Sequence, residues 1–424
     1  MSLSIGIDMG TSACRVAVLD AQEKLLKLVS LPLPAPTGVA PYCEQSPDDW
    51  WQVCLTALEQ ALNGLNSQQV MRIAVDGTSS TLLLCDAKGQ VGGSALMYRD
   101  QRAQQQATTI SNFAPDTAAV HSPSSSLAKL LWFKDQGHLR DGLKALHQAD
   151  WLAGKLRGEY THSDENNALK LGYDSVQRCW PDWLSKSGLS LDCLPAVVPA
   201  GTVLGSIHPE IANKFGLNTD CQVVSGTTDS TATFIASGAH LLGDALTVLG
   251  STLVIKILSD KPVFAPEFGV YSHRIGDKWL VGGASNTGGA VLRQFFNNQQ
   301  LEKLSAQIDP AQAAKYNYMP LPAAGERFPV NNPQLQPVLE PRPENDVDFL
   351  HALLESIAKI EEQGYTTLNQ LGAPMPKTLR TSGGGAKNRH WQNIRQKMLN
   401  IPFVDAEHEE AAVGAALLAK RAVG

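Results

Sequence analysis

Ile5-Gly-Ile-Asp-Met-Gly-Thr-Ser-Ala-Cys-Arg-Val-Ala-Val18 is the stretch from which the rest of the chain is best read. Leu3, Ile5 and Ile7 alternate with Ser4, Gly6 and Asp8, the period of a strand. Met9-Gly-Thr-Ser12 makes a bend, and Val16-Ala-Val-Leu19 runs back. A carboxylate closing a strand, then a glycine and two hydroxyl residues, suits a phosphate site. The glycine lets backbone N–H groups approach an anion, the hydroxyls add donors, and Asp8 can hold a hydrated magnesium ion. The same residues also serve as ordinary turn residues of a plain hairpin.

The pattern returns late in the chain. Ala245-Leu-Thr-Val-Leu249 and Leu253-Val-Ile-Lys-Ile-Leu258 read as strands flanking the bend Gly250-Ser-Thr252. Two such hairpins in separate halves can grip one polyphosphate from two sides. Between them stands Ser225-Gly-Thr-Thr-Asp-Ser-Thr-Ala-Thr-Phe-Ile-Ala-Ser-Gly238, in which a strand passes into a helix ended by Gly238. Asp229 falls at the start of that helix, where the dipole favours a carboxylate. A further glycine-rich corner, Thr381-Ser-Gly-Gly-Gly-Ala-Lys-Asn388, follows the strand Thr378–Thr381 and opens a helix. No Gly-x4-Gly-Lys-Ser/Thr loop occurs, which excludes a P-loop enzyme, and Gly282–Gly289 lacks the dinucleotide fingerprint.

These motifs, each weak alone and specific as an ordered set, resemble those of the FGGY carbohydrate kinases within the actin/hexokinase/Hsp70 superfamily. The resemblance runs over nearly the whole chain and is nearest to the short D-ribulose kinases among the pentulose kinases. It implies an α/β fold of two actin-like, ribonuclease H-like domains, each a mixed sheet with flanking helices, with the active site in the interdomain cleft. A sugar-binding domain would span 1–236 and a nucleotide-binding domain 237–409, with a final helix in 410–424 packing back on the first.

The resemblance also assigns roles. Asp229 becomes the catalytic base, aided by Asp8 and Thr11. Asp8, Ser79, Ser80 and Asp229 face the sugar, and Asp8 and Asp229 face magnesium. Thr11, Gly250, Ser251 and Thr252 bind ATP phosphates. Gly384 and Gly385 let adenosine lie against backbone, while Asn388 hydrogen-bonds the base and Trp391 packs on its face. Where xylulose kinases carry Gly-Gln-Met-His-Gly, this chain has Gly77-Thr-Ser-Ser-Thr81. Ser79 and Ser80 thus replace a Met and a His, which points to D-ribulose, converted to D-ribulose 5-phosphate, with D-xylulose as the alternative. An ATP hydrolase or phosphatase on the same fold and a non-catalytic sugar sensor are the readings from other classes. The sugar-side segments Tyr98–Arg102 and Thr161–Ala168 argue against the former, and retention of both Asp8 and Asp229 against the latter.

Composition sets the outer bounds. The chain has 424 residues, 43% hydrophobic and 18% charged, with a net charge of −6. That length exceeds one ordinary core, and that charge disfavours a nucleic-acid partner. Seven scattered cysteines without Cys-x-x-Cys fit a reducing, cytoplasmic setting and no structural zinc site. No apolar run is long enough to span a membrane, and the first strand begins too early for a leader. A monomer or homodimer is expected.

Among local elements, the sequence predicts helices over 291–297, Asp346 to Leu371 and Glu407 to Ala422. The stripe Val347, Leu350, Leu354, Ile357, Glu361, Tyr365, Leu368 carries one polar exception. Tyr98–Arg102 reads on residues alone as a solvated charge run. Asp164, Asn166 and Asn167 read as loop residues able to reach a substrate.

Overall fold

The computed structural model describes residues 2–422. Their contacts divide into two compact units. The first gathers the chain up to Ala236, His273–Gly276 and the stretch from Glu410 onward; the second holds Ser237–Ser272 and Asp277–Glu409.

The first unit is built on a six-stranded sheet. In spatial order its strands are Val203–Ser206, Gln222–Thr228, Val70–Gly77, Leu3–Met9, Ala13–Leu19 and Leu25–Pro32. Gln222–Thr228, Val70–Gly77 and Leu3–Met9 run parallel, and the outer pairings are antiparallel. Alternation decides which face each residue covers. Ile5 and Ile7 join a core with Trp50, Trp51 and Leu58 of the helix Pro47–Leu62, and with Trp151 of the helix Gln148–Arg157. Ser46 caps the first of these helices by accepting from the Asp49 N–H.

Gly6 faces the other side, where the helix Ala411–Lys420 lies so close that a Cβ would stand 2.0 Å from the Ala412 carbonyl oxygen. The alanine-rich sequence of that helix allows this approach. The helix is shorter than the expected Glu407–Ala422, because the Glu407 N–H donates instead to the Ser237 carbonyl and the backbone reaches helical form only after Glu410. A smaller four-stranded sheet in the same unit runs Glu44–Gln45, Ala95–Leu96, Leu82–Cys85, Lys144–His147.

The second unit has a five-stranded sheet in which Lys278–Ser285, Leu253–Ser259, Asp244–Leu249 and Thr378–Ser382 lie side by side. Asp244–Leu249 and Thr378–Ser382 are parallel. The helix Asp346–Gln370 supplies much of the core, including Phe349, Leu353, Leu354 and Ile357. Its polar exception is accounted for. Glu361 is fully buried and receives Arg395 Nε at 2.6 Å and Nη2 at 2.7 Å, while Thr247 donates a third bond. The expected helix over 291–297 is only Gly289–Leu292. Asn297 is drawn out of it as the cap of the next helix, Asn298–Ser305, in a reciprocal pair with Gln300. No helix among the described residues is long and apolar enough to cross a membrane.

Candidate active site

In the first unit the three parallel strands end together. Register pairs Asp8 with Asp76 and Asp76 with Thr227, then Met9 with Gly77 and Gly77 with Thr228. Asp229 follows at once and opens the helix Asp229–Ala236. Three carboxylates thus gather at the carboxyl end of a parallel sheet, the usual address of a ligand in an open α/β fold. Asp229 is half-buried, and its Oδ1 accepts from the Ser230 N–H at 2.6 Å.

Burial raises the Asp8 carboxyl above its ordinary range, opposed by Arg15, whose Nη1 donates to Asp8 Oδ2 at 3.0 Å. Asp76 is pushed well above the usual carboxylate range, first by complete burial and then by the negative charges of Asp8 and Asp229. No N–H or O–H group among the described residues donates to either Asp76 oxygen. Asp76 is absent from the candidates above, although an acid closing the apolar strand Met71–Val75 was a visible signal.

The segment after Asp76 is a built turn. The Thr78 N–H and Oγ1 both donate to Gln148 Oε1, at 3.0 and 2.9 Å. Ser80 adopts the left-handed conformation, with φ of 68°. Its hydroxyl is closed off from solvent and has no partner, so Ser80 does not offer the sugar contact expected of it. Ser79 is half-buried and is the serine of the pair with an accessible side chain. Thr11 is also half-buried, and its carbonyl accepts from Gln45 Nε2 at 2.8 Å.

Two sugar-side segments are more buried than their sequences suggest. Tyr98–Arg102 is solvated only in part: Tyr98, Arg99 and Gln101 are exposed, but Asp100 is fully buried, accepts from the Cys43 N–H at 2.6 Å and pairs with Arg102 Nη2 at 2.7 Å. Asp164, Asn166 and Asn167 are buried, and most of their groups are taken up within the first unit: Asn166 Oδ1 accepts from the Arg274 N–H, while Asn167 Oδ1 has no partner. Asp164 accepts from both asparagine N–H groups and from Asn167 Nδ2, and Asn166 donates to Thr227. Burial and the Asp150 charge push the Asp164 carboxyl up to about 7.

The second unit carries a pocket of about 860 Å³ where the parallel strands Asp244–Leu249 and Thr378–Ser382 end. Gly250, Ser251, Gly384, Gly385, Asn388 and Trp391 line it, whereas Thr252 does not. Gly383 shapes the corner: with φ of 84°, a Cβ there would stand 2.8 Å from the Leu249 carbonyl oxygen. Asn388 is spent on structure, its Oδ1 accepting from the Trp391 N–H at 3.0 Å and its Nδ2 donating to Ser305 Oγ at 2.8 Å. Trp391 is 2% exposed and donates from Nε1 to the Leu354 carbonyl, so its ring belongs to the core and only a margin meets the pocket. Unforeseen in the sequence are Arg293 and Glu302 in the lining. Arg293 Nη2 donates to Ser251 Oγ at 2.7 Å, which brings a cation to the hydroxyl turn.

The profile of the FGGY family of carbohydrate kinases, N-terminal domain, matches residues 3–236, and that of its C-terminal domain matches 245–423. The chain is 27% identical to a xylulose kinase of Escherichia coli (strain K12), over 98% of this chain and 89% of that protein. It is 26% identical to a xylulose kinase of Bacillus subtilis (strain 168), over 99% and 88%. A crystal structure of a ligand-bound xylulose kinase from Lactobacillus acidophilus superposes with a TM-score of 0.88 at 17% identity, covering 100% of this chain and 89% of that one. The fold is therefore the two-domain actin-like kinase fold of mixed sheets and flanking helices, and the chain belongs to the FGGY family of carbohydrate kinases as an enzyme that phosphorylates a small sugar with ATP.

Proposed function

We propose that the sugar is a ketopentose, D-ribulose, phosphorylated on its terminal hydroxyl to D-ribulose 5-phosphate. The observation that carries this is the Gly77–Thr81 turn beside the three carboxylates, which presents the Ser79 hydroxyl where xylulose kinases have an apolar Met. D-ribulose and D-xylulose differ only at C3, so discrimination rests on a hydrogen bond that one epimer cannot make. D-xylulose is the second reading, favoured by the xylulose kinases among the relatives.

On this reading the first unit takes the sugar and the second the nucleotide. Asp229 receives the proton of the attacking hydroxyl from its place at the start of the helix Asp229–Ala236. Thr11 and Ser251 hold phosphate oxygens, with Thr252 assisting from behind Ser251. Gly384 and Gly385 leave room for the nucleoside. Asn388 shapes the pocket by capping the next helix rather than by reading the base.

A magnesium ion fits the donor set only in a particular manner. Among the described residues no group of three His, Cys, Asp or Glu side chains is disposed to hold a metal. Magnesium that keeps its waters and takes phosphate oxygens needs only one or two carboxylates. Asp8 and Asp229 would hold it through water, and when bound it would neutralise phosphate charge.

A coupled ATP assay over ketopentoses, polyols and hexoses tests the substrate. A missing hydrogen bond costs about 1–3 kcal/mol, so kcat/KM should favour D-ribulose over D-xylulose by about 5- to 150-fold. Ser79→Ala should shrink that ratio. A panel in which D-xylulose matches D-ribulose would sink the choice of sugar, and ATP turnover indifferent to every sugar would favour the hydrolase reading.

Arg293 supplies a separate check on the nucleotide side. Removing a hydrogen bond to a charged group costs about 1.5–3 kcal/mol when fully desolvated. Arg293 is exposed, so Arg293→Ala should raise the KM for ATP by about 5- to 30-fold and leave the KM for sugar within about two-fold. An unchanged KM for ATP would remove Arg293 from the phosphate site.

A further inference from the structure

Lys129 is fully buried in the helix Ser126–Asp135, among Leu127, Leu130 and Leu131. Lysine is almost never found so deep unless its charge is answered. Here the Nζ donates to two backbone carbonyls, Ser80 O and Met97 O, each at 2.8 Å. Burial pulls the Lys129 amine down to about 7, with the Asp100 charge opposing. A leucine would fill the same space without that cost, so the two hydrogen bonds need a reason.

The two carbonyls supply it. Ser80 is the residue held at φ of 68°, a conformation that a non-glycine residue keeps only when its surroundings impose it. Its own hydroxyl has no partner and cannot do so. The restraint reaches the backbone: Lys129 grips the Ser80 carbonyl, while Thr78 and Thr81 join hydroxyls at 2.5 Å on the other side of the turn. Met97 precedes Tyr98, whose N–H donates to Thr81 Oγ1 at 3.0 Å. One ammonium thus ties the turn that carries Ser79 to the segment just after the strand Ala95–Leu96. Losing the hold on the Ser80 carbonyl would let Ser80 leave its left-handed conformation, and the turn that carries Ser79 would change course with it.

We propose that Lys129 is a positioning residue for sugar recognition, fixing the left-handed turn at Ser80 so that the Ser79 hydroxyl meets the sugar at one set place. The proposal rests on the reading that this turn borders the sugar, and it explains how a short polar loop discriminates between epimers. Selectivity of that kind depends on placement, since a misplacement of about 1 Å can cost about 100-fold.

The test is Lys129→Met, which keeps length and apolar fit, removes both donated bonds and leaves no buried charge. The KM for the sugar should rise about 10-fold, the D-ribulose to D-xylulose ratio of kcat/KM should move toward one, and the KM for ATP should stay within about two-fold. A lower melting temperature with unchanged sugar KM and epimer ratio would mean that Lys129 only supports the core, and would overturn the proposal. Should Lys129→Met fail to fold, Lys129→Gln keeps an NH2 donor with shorter reach. It should shift the same two readouts in the same direction by a smaller factor, and unchanged sugar kinetics there would overturn the proposal equally. A failure of the substrate reading is seen separately, in the wild-type sugar panel. The Lys129 variants are then measured on whichever sugar the wild type prefers.

Discussion

Asp229→Asn should lower kcat by about 10²–10⁴ and leave the KM for ATP nearly unchanged. Asparagine keeps the oxygen that accepts from the Ser230 N–H, so the start of the helix Asp229–Ala236 survives. What it loses is the ability to take a proton. Phosphoryl transfer to an alcohol asks the protein for positioning, charge neutralisation and a base for the attacking hydroxyl, and Asp229 is the half-buried carboxylate best suited to the last. Its two neighbours are not equivalent: Arg15 holds Asp8, and Asp76 is fully buried. Initial rates at saturating sugar and ATP, with nucleotide affinity measured separately, decide the matter. Turnover within a few-fold of wild type would move the base elsewhere, Asp8 first.

The second large effect concerns stability. Glu361→Gln should destabilise the second unit by about 3–5 kcal/mol, because it leaves the Arg395 guanidinium buried without its countercharge. Both side chains are 1% exposed, so water cannot substitute. Pairing the change with an apolar replacement of the cation, as in Glu361→Leu with Arg395→Met, should recover most of the loss, since a buried pair contributes little net stability over well-packed apolar groups. Denaturant unfolding followed by tryptophan fluorescence, fitted with separate transitions for the two units, reads both. A loss under about 1 kcal/mol for Glu361→Gln would show that the site relaxes enough to hydrate Arg395.

The parts of this molecule that sequence makes legible are those whose causes are local. Ile5 and Ile7 alternate with Gly6 and Asp8, so the first hairpin could be read directly, and the same holds for Gly250–Thr252 between its two strands. Asp229 was visible because a strand, an acid and a helix follow one another without a gap. The helix ends went astray where a distant or competing partner decides them. Asn297 prefers to cap Asn298–Ser305, and the Glu407 N–H finds the Ser237 carbonyl.

In the site, what stayed hidden comes from strands or helices far apart in the chain. Asp76 gains its meaning from parallel register with Asp8, which no spacing rule encodes. Arg293 is a lone arginine just past the short helix Gly289–Leu292 and carries no signature. Trp391 has the amphipathic position of either a core residue or a base platform, and only its bond to Leu354 decides for the core. Tyr98–Arg102 looked wholly solvated because Asp100 and Arg102 answer one another, and two opposite charges two residues apart read the same on a surface or beneath it.

The helix Ala411–Lys420 belongs to the first unit, yet in the sequence the residues of the second unit come between it and the strand against which Gly6 fits it. During synthesis this has a cost in time. The first unit leaves the ribosome with a groove open over Gly6, Ala17 and Leu19, and the helix that closes it is translated only after the second unit. Until then the nascent chain presents an apolar strip to chaperones and to its neighbours on the polysome. The closing contact spans nearly the length of the chain, which makes it slow to form by loop closure alone. Completion of the first unit is thereby coupled to synthesis of the second, so that a chain stalled between the two leaves the first unsealed.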